Sequence, residues 1–464
     1  MKKLEEKITV QKKTAWNRTK DFNKDAFEFC DGYKQFMDQS KTVRQAIFNI
    51  VKSAKANGFS SLDEAKEFSK KGKYYISEKG KHAALILIGK EPLSSGLRMI
   101  VSHVDSPRLD FKPYPFYEET DLSLMKSHYY GGIKKYQWVN WPLTLYCRVV
   151  MESGKNIEFT IGDKKDDPVF VIPDLLPHLS REQDKKTSRK VISGEDLNII
   201  VGSIPVDDED VKEKVKMNIL KHLYDEYGII EEDFVSAEVE AVPCIELRDV
   251  GFDRGLMGAY GHDDKSCVYA SLMSTFVSIP KKTTIVLFED KEEIGSMGNT
   301  SARSEFFKRI VGKIILLNSG KSSEHELRDI LSKSEGISGD VTAGMNPTFK
   351  SVHDALNASV LGKGVAVEKS GGYGGKFSGN DANPEFVAKI RNMLNKNKIA
   401  WQSGELGKVD EGGGGTVAMF FANYGIDIID IGPAVLAMHS PFEIISKADL
   451  YSTYLAYKGF IENM

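Results

Sequence analysis

The chain is poor in cysteine. Its 464 residues hold four, Cys30, Cys147, Cys244 and Cys267, with no CxxC pair among them. That excludes a disulfide-stapled scaffold and points to reduced thiols in a cytosol. An excess of one charge is also lacking. The formal net charge is −3 with 28% charged residues, so bulk electrostatics recruits neither nucleic acid nor a membrane surface. No run approaches the roughly 20 apolar residues that span a bilayer. The N-terminal MKKLEEKITVQKK carries charge where a secretion signal would carry an apolar core, so a cytoplasmic location is expected. Three catalytic signatures are missing too. GKSS at Gly320 lacks the earlier glycine of a phosphate-binding loop, because position 315 is Ile315. There is no HExxH helix and no GxSxG elbow, which removes the commonest mono-zinc protease pattern and a serine nucleophile of that type.

What is present is a globular composition, 41% hydrophobic, on a chain too long for one ordinary core. TVRQAIFNIVKSAKANGF places Val43, Ala46, Ile47, Ile50, Val51 and Ala54 on one helical face and stops at Asn57-Gly58. Two strand candidates follow, HAALILIG and GLRMIVSHVDSP. From about Pro107 the texture changes to short strand-like pieces (LTLYCRVVM, NIEFTIG, VFVIP), a charged loop, SREQDKKTSRK, and one amphipathic helix with Ile219, Leu220, Leu223, Tyr224 and Tyr227. From about Pro243 an α/β rhythm returns, with TTIVLFED, KIILLNSG and GIDIIDIG as short apolar strands. The expected architecture is α/β, a mixed sheet flanked by helices, in two parts (1–109 and 243–464) around a β-rich insertion (110–242). Two glycine-rich loops, SGGYGGKFSGND and DEGGGGTV, call for backbone freedom or close approach to a ligand.

FEDKEEIGSMGNT, Phe288 to Thr300, sets four acids at the end of an apolar strand. A solvated turn would explain them; so would a cation site. In open α/β sheets ligands bind beyond the carboxyl ends of strands, and metal-capable side chains recur at such places. RMIVSHVDS ends with His103 and Asp105, and IVLFEDKEE with Glu292 and Glu293. IIDIGPAVLAMHS leads to His439, GAYGHDDKS opens a helix with Asp263 and Asp264, and EGISGDVTAG offers Asp340. Each alone is a weak signal, more often an ordinary hydrogen-bonded residue; five on one α/β unit read as a site. His103 and Asp105 point the same way in an extended strand, and a carboxylate behind a histidine fixes its tautomer as a ligand. Glu292 and Glu293, where the chain turns, can split roles, one on metal and one toward substrate. With His103, Asp263, Glu293, Asp340 and His439 as ligands, three carboxylates and one bridging hydroxide balance two dications, and that hydroxide is a nucleophile near neutral pH. Mixed His and carboxylate donors suit zinc, and also manganese or cobalt.

SHVDSPRLD, GHDDKS, EDKEEIGS, SGDVTAG and AMHSP, in that order, resemble the M18 metallopeptidases, the aspartyl aminopeptidase family, over nearly the whole chain. The resemblance implies a two-metal aminopeptidase domain, an inserted β-rich dimerisation domain and a homododecamer built from dimers. It puts His103 and Asp340 on one metal, Glu293 and His439 on the other, and Asp263 between them, with Glu292 as general base and Asp105 behind His103. Asp264 stands where relatives often carry Asn, so either aspartate is open as the bridge. The family also brings a histidine across the subunit interface. In VIPDLLPHLSRE, Asp174 stands where one alignment would want that histidine, and His178 is the candidate. Lys376, in a glycine-rich loop, could pair with an acidic substrate side chain. A di-zinc carboxypeptidase or deacylase, and a catalytically silent peptide-binding assembly, are the rival readings. The first needs a cationic clamp for a carboxylate; the second has no use for Glu292.

Overall fold

The computed structural model describes residues 1–464 apart from 2–3, 6–7, 11–12 and 70–71, so part of the charged N-terminal stretch lies outside the described residues. Two compact units result: one of residues 1–105, 247–438 and 443–464, the other of residues 106–246 and 439–442. No helix among the described residues is long and apolar enough to cross a membrane.

The larger unit is built on one nine-stranded mixed sheet. Its strands are β1 (Ser60–Ser61), β2 (Lys73–Glu78), β3 (His82–Leu87), β4 (Arg98–His103), β5 (Thr284–Glu289), β6 (Glu335–Ser338), β7 (Val365–Glu368), β8 (Trp401–Ser403) and β9 (Asp427–Gly432), in the spatial order β1-β2-β3-β5-β4-β6-β9-β7-β8. The central four, β5, β4, β6 and β9, run parallel. Parallel strands are buried on both faces, and β5 shows why its run is unbroken. Val286 and Phe288 enter one apolar cluster, Ile285 and Leu287 the other. The first cluster is completed by helices α1 (Phe22–Asp38), α2 (Val43–Ala56), α3 (His262–Val277), α6 (Pro384–Lys396) and α7 (Lys447–Asn463), the second by α4 (Phe306–Ser319) and α5 (Glu324–Leu331). This is the mixed sheet flanked by helices that the sequence leads one to expect. Helix α2 starts where Thr42 and Gln45 form a reciprocal capping box and ends at Asn57, which satisfies amide groups that a bare helix end leaves open. Phe288, fully buried, is central enough that Phe288→Ala should cost about 3–5 kcal/mol, read as a lowered thermal midpoint.

One strand expectation fails. KIILLNS is the second half of α4, whose buried Phe306, Phe307, Ile310, Val311, Ile314 and Ile315 recur at helical spacing. Read over a short window, an apolar run of this kind does not distinguish strand from buried helix.

The smaller unit is an antiparallel sheet of six strands in the order Asn156–Ile161, Leu143–Val150, Ala237–Pro243, Arg108–Glu119, Leu122–Tyr130, Asn198–Gly202, with the amphipathic helix Lys214–Tyr227 ending on left-handed Gly228. VFVIP contributes only two bridging residues, Phe170 and Val171, and not a full strand.

Candidate metal centre

Strands β4, β5 and β6 are parallel, so their carboxyl ends open along one edge of the sheet. His103 ends β4 directly opposite Glu289, the last residue of β5, and Asp340 follows β6 by two residues. The acidic run after β5 divides in two. Glu289 is buried with a carboxylate oxygen 3.6 Å from His82 Nδ1, and the His82 ring stacks on Phe306 at 3.8 Å. Asp290 accepts from the Thr300 hydroxyl at 2.8 Å and the Lys291 ammonium at 2.6 Å. These two acids hold the turn. Lys291, at φ 70, then reverses the chain into a single 3-10 turn, Glu292–Ile294. The backbone N–H groups of Glu292 and Glu293 donate to the two carboxylate oxygens of Asp105, each at 3.2 Å.

Asp105 therefore serves two neighbours. Its carboxylate fixes the Glu292–Glu293 turn, and its Oδ1 and carbonyl oxygen lie 3.4 Å and 3.1 Å from His103 Nδ1. With Nδ1 directed there, His103 Nε2 faces Asp263 Oδ1 at 3.2 Å and Asp340 Oδ1 at 3.9 Å. Ligand-capable atoms of His103, Asp263 and Glu293 lie within 4.8 Å of one another, as do those of Asp263, Asp264 and Asp340. Asp263 belongs to both sets. Its own N–H donates to buried Glu443 at 3.0 Å, while Asp264 Oδ2 accepts the His103 N–H at 3.3 Å. The neighbouring aspartates thus differ: Asp264 grips the end of β4, and Asp263 faces His103.

The electrostatics fit a cation. Burial pushes the Asp264 and Asp340 carboxyls well above the usual range, and the surrounding carboxylates, Glu292 among those acting on Asp340, add to it. Burial alone would lower the His103 pKa, but its bonds to Asp105 and Asp263 and the charge of Asp264 hold it well above its ordinary value. Asp264 Oδ1 is buried with no hydrogen-bond partner among the described residues. Several acids and one imidazole converging in a low-dielectric site repel unless protons or a cation intervene, and one nitrogen with several carboxylate oxygens is a donor set for a divalent transition ion. The residues present fit a metal.

The remaining sequence candidates are outside the two converging sets. His439, in the smaller unit, sets Nδ1 2.8 Å from the Gly132 carbonyl oxygen, which fixes Nδ1 as the protonated nitrogen. His178 is exposed on the 3-10 turn Pro177–Leu179, among exposed Leu175, Leu176 and Leu179. Asp174 is held locally, accepting from the Leu175 N–H and the Gln183 amide, both at 2.8 Å. Lys376 pairs with Asp381 at 3.2 Å, half exposed, and is not among the converging groups. Sequence reasoning missed Glu443, an acid with 1% exposure inside a strand; an acid within the apolar stretch FEIIS was the signal for it.

Because Asp105 orients both His103 and the Glu292–Glu293 turn, Asp105→Asn should weaken metal binding by roughly 10–100-fold. Competition with a chromogenic chelator measures it, and unchanged affinity would remove Asp105 from this role.

The sequence profile of the family described as aminopeptidase I zinc metalloprotease (M18) matches residues 36–461. A probable M18 family aminopeptidase 1 of Thermotoga maritima is 47% identical over 457 residues, 98% of this chain and 100% of the relative. The crystal structure of an M18 family aminopeptidase from Thermotoga maritima superposes with a TM-score of 0.95 at 46% identity, covering 98% of this chain and 100% of that one. The mApe1 dodecamer of S. cerevisiae shares the fold, with a TM-score of 0.73 at 19% identity over 94% of this chain and 95% of that one.

Proposed function

The chain belongs to the M18 family of aminopeptidases, metal-dependent hydrolases, and on that premise we propose that it works as a dinuclear enzyme, with His103, Asp263, Glu293, Asp340 and His439 as ligands. The observation that carries the two-metal reading is the membership of Asp263 in both sets of converging donors. Bound by these residues, two such ions would supply Lewis-acid polarisation of the scissile carbonyl and acidify the attacking water. Zinc is the proposed metal, with cobalt and manganese as alternatives. Glu292, carried on the turn that Asp105 fixes, accepts the proton of the attacking water and delivers it to the leaving amine. Asp105 keeps His103 Nε2 turned toward the ligand carboxylates. Lys376 is assigned to the side chain of an acidic N-terminal residue. A cytoplasmic setting is in keeping with four free cysteines.

A panel of aminoacyl anilides, assayed with several divalent ions and with chelator, tests this reading. Turnover that chelator abolishes and a divalent ion restores is expected, fastest on Asp or Glu. Chelator-resistant turnover, or cleavage confined to C-terminal residues, would overturn it.

Assembly into a homododecamer built from dimers is proposed as well, supported by the S. cerevisiae mApe1 dodecamer of the same fold and by three leucines exposed around His178. If His178 completes the site of a neighbouring subunit, mixing inactive His178→Ala with inactive Glu292→Gln subunits should restore part of the turnover. No recovery after subunit exchange verified by mass spectrometry would refute the shared site.

A further inference from the structure

Six large apolar side chains of the larger unit stand out from three neighbouring loops. They are Phe349 (63% exposed), Val352 (42%), Leu356 (80%), Tyr373 (56%), Phe377 (74%) and Val409 (68%). Exposed apolar residues scattered singly need no explanation, but a continuous group of them marks a contact surface. Backbone bonds make this group continuous. The Lys408 N–H donates to the Val352 carbonyl oxygen at 2.9 Å, which joins the loop of Phe349 and Leu356 to that of Val409. Gly372 and Tyr373 pair with Gly414 and Gly413, which joins the loop of Tyr373 and Phe377 to the stretch that follows Val409. The loops are also fixed internally. Tyr373 and Phe377 exchange N–H···O bonds at 2.8 Å and 2.9 Å, and Asp354 Oδ1 accepts the Leu356 N–H at 2.9 Å. A surface already ordered loses little freedom when it is covered.

On the dodecamer proposed above, what covers it follows from the number of subunits. A two-fold contact uses the same patch on both subunits and is complete at two copies. Leu175, Leu176 and Leu179, exposed on the smaller unit, supply one contact. Twelve subunits built from dimers need a second, elsewhere on the chain. The six residues lie on the larger unit and outside the converging metal donors. Residues 349–357, 369–381 and 404–412 carry four lysines and five acids, so no excess of one sign repels an approaching copy. We propose that this surface joins dimers of the chain into the larger assembly, a second copy being its occupant.

The mass of the full-length protein in solution, by light scattering and native mass spectrometry, is the test. The unaltered chain should be a dodecamer. Phe349→Glu combined with Leu356→Glu should yield dimers, with the concentration of half-assembly raised roughly 30-fold or more, the scale of a lost hot-spot residue. Phe349→Leu combined with Leu356→Met should stay dodecameric. Leu176→Glu combined with Leu179→Glu should remove the dimer and leave trimers or hexamers held by the second surface. All these positions are exposed within the chain, so the core is undisturbed and metal content should match the parent, which separates a lost contact from misfolding. A folded Phe349→Glu, Leu356→Glu protein that stays dodecameric or falls to monomers would overturn the proposal, as would the same dimer from both acidic pairs. An unaltered chain that stops at the dimer would overturn the dodecamer itself, and this surface would then hold no copy of the chain.

Discussion

Glu292→Gln is expected to retain its full complement of metal and to lose kcat by roughly 10²–10⁴-fold, the scale of a removed general base. The substitution is nearly isosteric. The turn Glu292–Ile294 is anchored by the backbone N–H groups of Glu292 and Glu293 on Asp105, and these bonds survive the change. Glu293 lies with His103 and Asp263 among the converging donors, so Glu293→Gln should instead release metal. Two adjacent glutamates on one short turn thus have separable signatures, one in kcat at constant metal content and one in metal content itself. Elemental analysis alongside steady-state kinetics distinguishes them. If Glu292→Gln lost a metal and Glu293→Gln kept both, the two roles would be exchanged.

That division of labour was only half legible in the sequence. The apolar run before Phe288 and the four acids after it are plain in one dimension, and so is the tendency of α/β strands to end in ligands. What the run does not carry is which acid meets which partner. Glu289 is taken by His82 and Asp290 by Thr300, a strand and a loop that only the folded sheet brings alongside. Glu443 is marked in the sequence only as an acid inside FEIIS; that it accepts the backbone N–H of Asp263 is something no side-chain pattern announces. Helix α4 misled for the opposite reason. Its apolar stripe is dense enough that KIILL reads as a strand until Phe306, Phe307 and Ile310 are included in the window. Strands β3, β4 and β5 were readable because strands covered on both faces carry long apolar runs, and all three are buried throughout.

Asp263→Ala should remove both metals, where His439→Ala should weaken one. The expectation follows from Asp263 being the one residue common to the two donor sets, with its backbone held by Glu443 so that its carboxylate stays directed at His103. Stability offers a second readout. Saturating metal stabilises the folded chain by RT ln(1 + [L]/Kd), about 4 kcal/mol at a thousandfold excess over Kd, so the native protein should show a metal-dependent rise in thermal midpoint that Asp263→Ala lacks. Without metal the comparison runs the other way. The site crowds carboxylates in a buried space, where burial and mutual repulsion already push Asp264 and Asp340 toward protonation, and removing one acid relieves that repulsion. The metal-free variant should therefore be no less stable than the metal-free parent, while the metal-loaded comparison favours the parent. Asp264→Asn is the control: it preserves a group able to accept the His103 N–H and should keep both metals. Isothermal titration with a divalent ion, paired with thermal melts at each stoichiometry, decides the matter. One metal retained at parental affinity in Asp263→Ala, together with loss of two in Asp264→Asn, would transfer the bridging role to Asp264.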